Sequence, residues 1–183
     1  WVLSKGGNAD GTNRTIATKR GTSDANGYQL YLNTNNLVTM RINSQTAWSN
    51  TAIENGRWTY VAFTYKDGIG KTYIDGFLDS THSMPDAPIA NSEKFSLGAK
   101  IIDKNTRVHM FNGKMDEVRM FSTALSVEQL RFVMNQEIQK DGAGLKGTII
   151  PTSITKNDIS DLNSDSLEAY FNMNTYIGTH LND

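Results

Sequence analysis

The stretch Trp58-Thr59-Tyr60-Val61-Ala62-Phe63-Thr64-Tyr65, followed by Asp67-Gly68, Lys71-Thr72-Tyr73-Ile74, Asp75-Gly76 and Phe77-Leu78, decides the fold. Its first run is dense in aromatic and β-branched residues, which suit a pleated, half-buried strand. Each Asp-Gly pair supplies the positive φ angles that tight hairpin turns demand. Residues 58–78 therefore read as a three-stranded meander, with Trp58 inside the core.

Outward from this meander the same grammar recurs. Tyr28-Gln29-Leu30-Tyr31-Leu32 and Leu37-Val38-Thr39-Met40-Arg41-Ile42 read as successive strands joined by a turn at 33–36. Phe95-Ser96-Leu97-Gly98 and the run 115–121 add two more. Short strands separated by Gly, Asn and Asp clusters have the spacing of a β-sandwich. One helix interrupts them. Ser126 and Gln129 form a capping box, and Leu130, Val133, Met134 and Glu137-Ile138 recur at helical spacing up to a stop at Gly142. Its apolar face is expected to plug the end of the sandwich. Residues 140–166, rich in Gly, Ser, Asn and Asp with Pro151 inside, read as a long surface connection. Leu167-Glu168-Ala169-Tyr170-Phe171-Asn172-Met173 returns to strand composition.

Composition narrows the function classes. A chain of 183 residues suits one large sandwich, so 1–183 is expected to be a single domain. The net charge of -1, with 18 basic residues scattered along the chain, offers no surplus for phosphates and argues against nucleic acid. No cysteine is present, which removes disulfides, thiolate metal sites and cysteine nucleophiles. The apolar runs fall far below the roughly 18 residues of a membrane-spanning helix, so no membrane insertion is expected. The chain opens on Trp1 rather than methionine, and it is expected to be an excised piece of a longer protein.

Several segments, in order, resemble the laminin-G-like, concanavalin-A-like jelly-roll family. Leu3-Ser4-Lys5-Gly6-Gly7 looks like its early Leu-Ser-Lys-Gly segment, and Gly56 through Tyr65 like its Trp-x-x-Val-Ala strand. Tyr73-Ile74-Asp75-Gly76 resembles its Tyr-Val-Asp-Gly hairpin, and Leu97-Gly98 its Ile-Gly strand end. Phe111-Asn112-Gly113-Lys114-Met115-Asp116-Glu117-Val118-Arg119-Met120-Phe121 is similar to its Phe-x-Gly-x-Ile-Asp-Glu-Val-Arg-Ile-Tyr block. The resemblance implies an all-β, two-sheet antiparallel jelly roll with one short helix. The family's opening strand is missing ahead of Leu3 apart from Trp1-Val2. Conversely, residues 167–183 look like the strand that opens such a domain, either closing this sandwich or beginning a following repeat.

Catalytic equipment is absent. Glycosidases on such a sandwich need paired carboxylates, roughly 5–5.5 Å apart in retaining enzymes. On a strand that pair takes a Glu-x-Asp spacing, which does not occur here. Asp116 and Glu117 are neighbours, and neighbours on a strand point to opposite faces. The three histidines, His82, His109 and His180, have no ligand spacing. A sugar site wants an exposed aromatic face beside amide, guanidinium or imidazole groups. Trp48, placed in a loop over 44–55, and Tyr73, Arg107, His109, Asn112 and Arg119 are the candidates, with packing onto the sandwich edge as the other role for Trp48.

Asp116 shares strand parity with Val118 and Met120 and is expected to point inward, where a carboxylate needs a cation or N–H donors. The family resemblance allows calcium at the sandwich rim, held by Asp116 with Asp183; backbone N–H bonds are the alternative. The oxygen-rich loop Asn8-Ala9-Asp10-Gly11-Thr12-Asn13 reads as a plain turn. The expectation is a non-enzymatic, monomeric module at the cell surface or secreted, binding glycans. A structural spacer and a protein–protein interaction domain that binds a surface protein are the alternatives.

Overall fold

The expected meander is present, with one change at its start. In the computed structural model, β7 (Val61–Lys66), β8 (Ile69–Ile74) and β9 (Phe77–Ser83) pair in sequence as an antiparallel sheet. Asp67 and Asp75 both adopt left-handed φ, followed by Gly68 and Gly76 with positive φ. The strand expected over 58–65 is interrupted at Tyr60. Asp75 accounts for this: its carboxylate accepts the Tyr60 N–H (2.9 Å), and its own N–H donates to the Tyr60 carbonyl (2.8 Å). That exchange releases β6 (Trp58–Thr59) to pair with β1 (Val2–Ser4) instead. Trp58 lies on this short strand and is 39% exposed, so it is not the core residue its neighbours in sequence suggest.

The structure describes residues 1–7, 12–20, 26–148, 157–174, 176–177 and 180–181. The chain divides into two compact units, one of Val2–Met115 and one of Trp1 with Asp116–Asp183.

In the larger unit, β2 (Arg14–Lys19), β3 (Tyr28–Leu32), β4 (Leu37–Ile42) and β5 (Gln45–Ala52) form an antiparallel sheet, extended by β10 (Ser96–Leu97) on β2. β11 (Lys100–Ile101) and β12 (Arg107–Val108) make a small hairpin, and β13 (Gly113–Met115) pairs with β1. Val2, Ile16, Leu32, Val38 and Ile53 are buried between the sheets, with Val61, Ile74, Phe111 and Met115 packed against them. Ile42, Ala47 and Met84 form a second buried group with Phe63 and Tyr65. This is the two-sheet jelly-roll sandwich that the sequence implied.

Buried Arg14 closes one end of the sandwich. Its guanidinium donates to Ser4 Oγ (2.6 Å), the Asn33 carbonyl (3.1 Å) and Asn36 Oδ1. Trp48 lies on β5, not in a loop: the alternation that buries Ala47 and Ser49 turns Trp48 and Asn50 outward.

The smaller unit departs further from expectation. The strand expected over 115–121 breaks at Asp116-Glu117, where Glu117 is left-handed (φ 52°), and resumes as β14 (Val118–Phe121). The helix α1 (Val127–Met134) has both hydrogen bonds of the Ser126–Gln129 capping box and buries Leu130 and Val133. It stops at Asn135, short of Gly142. Gly142, with φ 61°, serves instead in the hairpin between β15 (Glu137–Asp141) and β16 (Gly144–Thr148). β17 (Asn157–Asn163) pairs with β16, so the expected surface connection over 140–166 carries strands of a three-stranded sheet. Ile138, Leu145 and Leu162 are buried, which supplies the apolar face such a sheet requires. β18 (Leu167–Phe171) pairs antiparallel with β14.

Gly113 sits where the backbone of β1 passes closest. A Cβ there would lie 2.0 Å from the Leu3 carbonyl oxygen. Gly113→Ala is expected to destabilise the chain by about 3 kcal/mol in urea unfolding, because the obstacle is backbone and cannot move aside.

Candidate functional site

Directly paired residues on antiparallel strands direct their side chains to one face. In the five-stranded sheet, Leu30, Met40 and Ala47 form one such line and belong to the core face. The opposite face carries Thr15, Tyr31, Thr39 and Trp48 in one line, and Ser96, Thr18, Gln29, Arg41 and Thr46 in the next. This second face is thus a grid of hydroxyls, one amide, one guanidinium and two aromatic rings; Thr15, Thr18, Gln29, Tyr31 and Thr39 are buried in it, and Ser96, Arg41, Thr46 and Trp48 are its more open members. Gln29 Nε2 donates to Thr15 Oγ1 (2.9 Å), and Arg41 Nε lies 3.4 Å from Thr46 Oγ1. Burial raises the Tyr31 hydroxyl above its ordinary pKa, with Arg41 and Arg20 pulling the other way.

Trp48 is 47% exposed at the rim of this face. Its backbone is held from the β9 side, where Ser80 Oγ donates to the Trp48 carbonyl (2.7 Å) and His82 Nε2 lies 2.8 Å from the same oxygen. The His82 ring sits 5.2 Å from the indole at 52°. Asp79 accepts the N–H groups of Asn50 and Thr51 and fixes the next turn of β5. Because its main chain and ring are already restrained, the indole loses little freedom on stacking against a ligand.

The other candidates are dispersed. His109 is half-buried with φ 53°, and its carbonyl accepts the Thr15 N–H (2.8 Å). Its backbone therefore lies at the opposite end of the Thr15–Trp48 line, four strand spacings or about 19 Å from β5. Arg107 is exposed on β12. Asn112 is exposed and its side chain reaches toward the Gly6 and Gly7 carbonyls (3.4 Å each). Tyr73 lies on β8, in the β7–β8–β9 sheet and not on the sheet face that carries Trp48. Tyr31, Gln29 and Arg41, which share the face of Trp48, were not among the candidates. The alternation in Tyr28-Gln29-Leu30-Tyr31-Leu32 places Gln29 and Tyr31 together and is the signal that identifies them.

Arg119 is not a ligand-facing residue either. Its side chain is 4% exposed and donates to the Val133 and Gln136 carbonyls at the end of α1 and to Glu117. The Tyr170 hydroxyl donates to Glu117 Oε2 (2.7 Å), and the Arg119 guanidinium lies 5.0 Å over the Tyr170 ring. The strand break at Asp116-Glu117 removes the parity with Val118 from which an inward Asp116 was expected. Glu117 enters this network, while Asp116 accepts the Glu117 N–H with Oδ1 (2.9 Å). Among the described residues no three His, Asp or Glu side chains gather as a metal site. Asp116 supplies a single carboxylate, which by itself does not make the six to eight oxygen ligands of calcium. Asp183 and residues 8–11 lie outside the described residues.

A jelly-roll sandwich with a polar outer sheet face and a rim tryptophan defines a lectin-like scaffold. A laminin-G-type family model, that of the concanavalin A-like lectin/glucanases superfamily, matches residues 1–131, and the chain belongs to this family. No curated protein matches the chain. Among solved structures, an inferred carbohydrate binding protein from Bacteroides ovatus is similar, with a TM-score of 0.58 and 19% identity. That match covers 94% of this chain and 54% of the other, so this chain spans about half of that protein's length. An S-layer domain-containing protein from Clostridium thermocellum matches with a TM-score of 0.38 and 18% identity, covering 66% of this chain and 62% of that one.

The Glu117–Tyr170 contact has a pH signature. Burial, with the hydrogen bond to Glu117, pushes the Tyr170 hydroxyl from its ordinary 10.0 up to about 12. A group whose folded pKa is raised contributes stability fully below its unfolded value and loses it as pH climbs to the folded one. Stability is therefore expected to fall between about pH 10 and pH 12, and Tyr170→Phe to flatten that fall in denaturant titrations across the window.

Proposed function

We propose that this chain is a non-catalytic carbohydrate-binding module of a cell-surface or secreted protein, and that it receives saccharide on the outer face of the five-stranded sheet. The observation that carries the reading is Trp48: a half-exposed indole, fixed through its own backbone, on the same sheet face as Tyr31, Gln29 and Arg41. Sugars present an apolar C–H face and a polar rim, and this face offers an aromatic ring beside hydroxyl, amide and guanidinium groups. The line from His109 to Trp48 has the length of an oligosaccharide rather than a single sugar. The Bacteroides ovatus match supports the reading at the level of the scaffold. The same reading takes the module as monomeric and without affinity for nucleic acid.

Trp48→Ala is expected to weaken binding on a glycan array by roughly 10- to 100-fold while leaving the thermal midpoint nearly unchanged. Loss of no signal on that substitution, or no signal from any glycan, would overturn the assignment.

A second reading, a protein–protein module, draws on Phe77 and Leu78, which are 66% and 52% exposed beside the Asp75-Gly76 turn. Capture of a purified surface protein, abolished by Phe77→Ser and indifferent to Trp48→Ala, would favour it. Calcium at Asp116 and Asp183 is a separate proposal. If the ion is held, the melting midpoint is higher in calcium than in chelator; equal midpoints remove it.

A further inference from the structure

We infer that the saccharide taken by this face is an acidic one, its carboxylate or sulfate ester received by the Arg41 guanidinium and the Tyr31 hydroxyl. The inference rests on the carbohydrate-binding reading above and assigns its ligand class.

Tyr31 is 5% exposed, yet its hydroxyl makes no hydrogen bond to any described residue. Buried phenols ordinarily find a partner. The oxygen is also not among the polar atoms sealed from solvent without a partner, so the ring is enclosed while its tip stays accessible. Burial raises its pKa, which keeps the proton on at neutral pH and leaves the group a donor. A donor held in place with no acceptor is suited to an incoming oxygen, and it is best rewarded by a charged one.

Arg41 supplies the complementary charge. It pairs with Gln29 on one side and Thr46 on the other, so its side chain leaves the sheet on the face of Tyr31 and Trp48. Only its Nε has a neighbour within reach, Thr46 Oγ1 at 3.4 Å; both terminal nitrogens lack a partner among the described residues. The ion pairs Arg57–Asp75 and Arg119–Glu117 do not involve it.

The sheet itself is cationic. Residues 12–20 and 26–53 contain Arg14, Lys19, Arg20 and Arg41 and no Asp or Glu, in a chain with 19 acidic residues against 18 basic. Arg14 is spent on Ser4, Asn33 and Asn36, Lys19 on the Glu93 carbonyl, and Arg20 on the Asn43 carbonyl. Arg41 is the member of the four whose forked end remains for a ligand. A guanidinium presents parallel donors that match a carboxylate or sulfate, and a neutral sugar leaves that charge desolvated and unmatched.

The test is calorimetry on the whole chain with three oligosaccharides of equal length: a uronic-acid oligomer, a sulfated oligomer and a neutral one. At least one acidic oligomer is expected to bind more tightly than the neutral one, with affinity that declines as salt is added. Which of the two binds more tightly identifies the anion. Arg41→Gln is expected to weaken acidic binding about 10- to 100-fold, and Tyr31→Phe about 10-fold. Either substitution is expected to cost the neutral oligomer less than it costs the acidic one, so that the preference for acid narrows. Tyr31→Phe removes one oxygen and keeps the ring, so the sheet's packing is preserved. Equal affinity for acidic and neutral oligomers, unchanged by Arg41→Gln, overturns the ligand class while the carbohydrate reading stands. Absence of binding to all three overturns both.

Discussion

In the five-stranded sheet, a side chain's surroundings follow from hydrogen-bonded register, and asparagines hold that register at both central hairpins. Asn36, at φ 61°, turns β3 into β4, and Asn33 Oδ1 accepts the N–H groups of Asn35 and Leu37. Asn43, at φ 50°, turns β4 into β5; its side chain binds the Gly27 and Ile89 N–H groups and the Ala87 carbonyl. A slip of one residue would exchange the two faces. Leu30, Met40 and Ala47 would leave the core clusters, and Tyr31, Arg41 and Trp48 would be turned into them. The polar grid and the apolar core are two sides of one constraint.

The two units use their polar groups differently. Around Arg119 the two terminal guanidinium nitrogens are taken: helix-end carbonyls, Glu117 and the Tyr170 hydroxyl are consumed within the network. A network of this kind fixes a local arrangement and leaves little for a ligand. Around Tyr31 and Arg41 the donors exceed the acceptors. Both clusters contain arginine and tyrosine, so composition alone does not separate a consumed network from one with donors to spare. The difference lies in which hydrogen bonds are left unmade, and function follows from that local arrangement more than from the sandwich it sits on.

Much of the fold was legible in the residues. Asp67-Gly68 and Asp75-Gly76 announced their hairpins, and Ser126 with Gln129 announced the helix start. What was missed has physical reasons. β5 reads Gln-Thr-Ala-Trp-Ser-Asn-Thr-Ala, with few residues of strand character, and is held by its neighbours rather than by its own preference. Glu137-Ile138 fits helical spacing as well as strand alternation, and the pairing with β16 decided the matter. The left-handed Glu117 reset the parity from which Asp116 was read. Of the candidate site, Trp48 was recovered by its type; alternation within one strand puts Gln29 and Tyr31 on one face, and joining them to Arg41 and Trp48 takes the pairing of three strands.

The grip of β9 on β5 bears on how such modules coexist. β5 lies at the end of its sheet, where main-chain groups would ordinarily invite another strand. Ser80 and His82 occupy the Trp48 carbonyl, and Asp79 takes the Asn50 and Thr51 N–H groups. The border is closed by side chains of the same unit. Copies brought close together therefore find no ladder there on which to fuse.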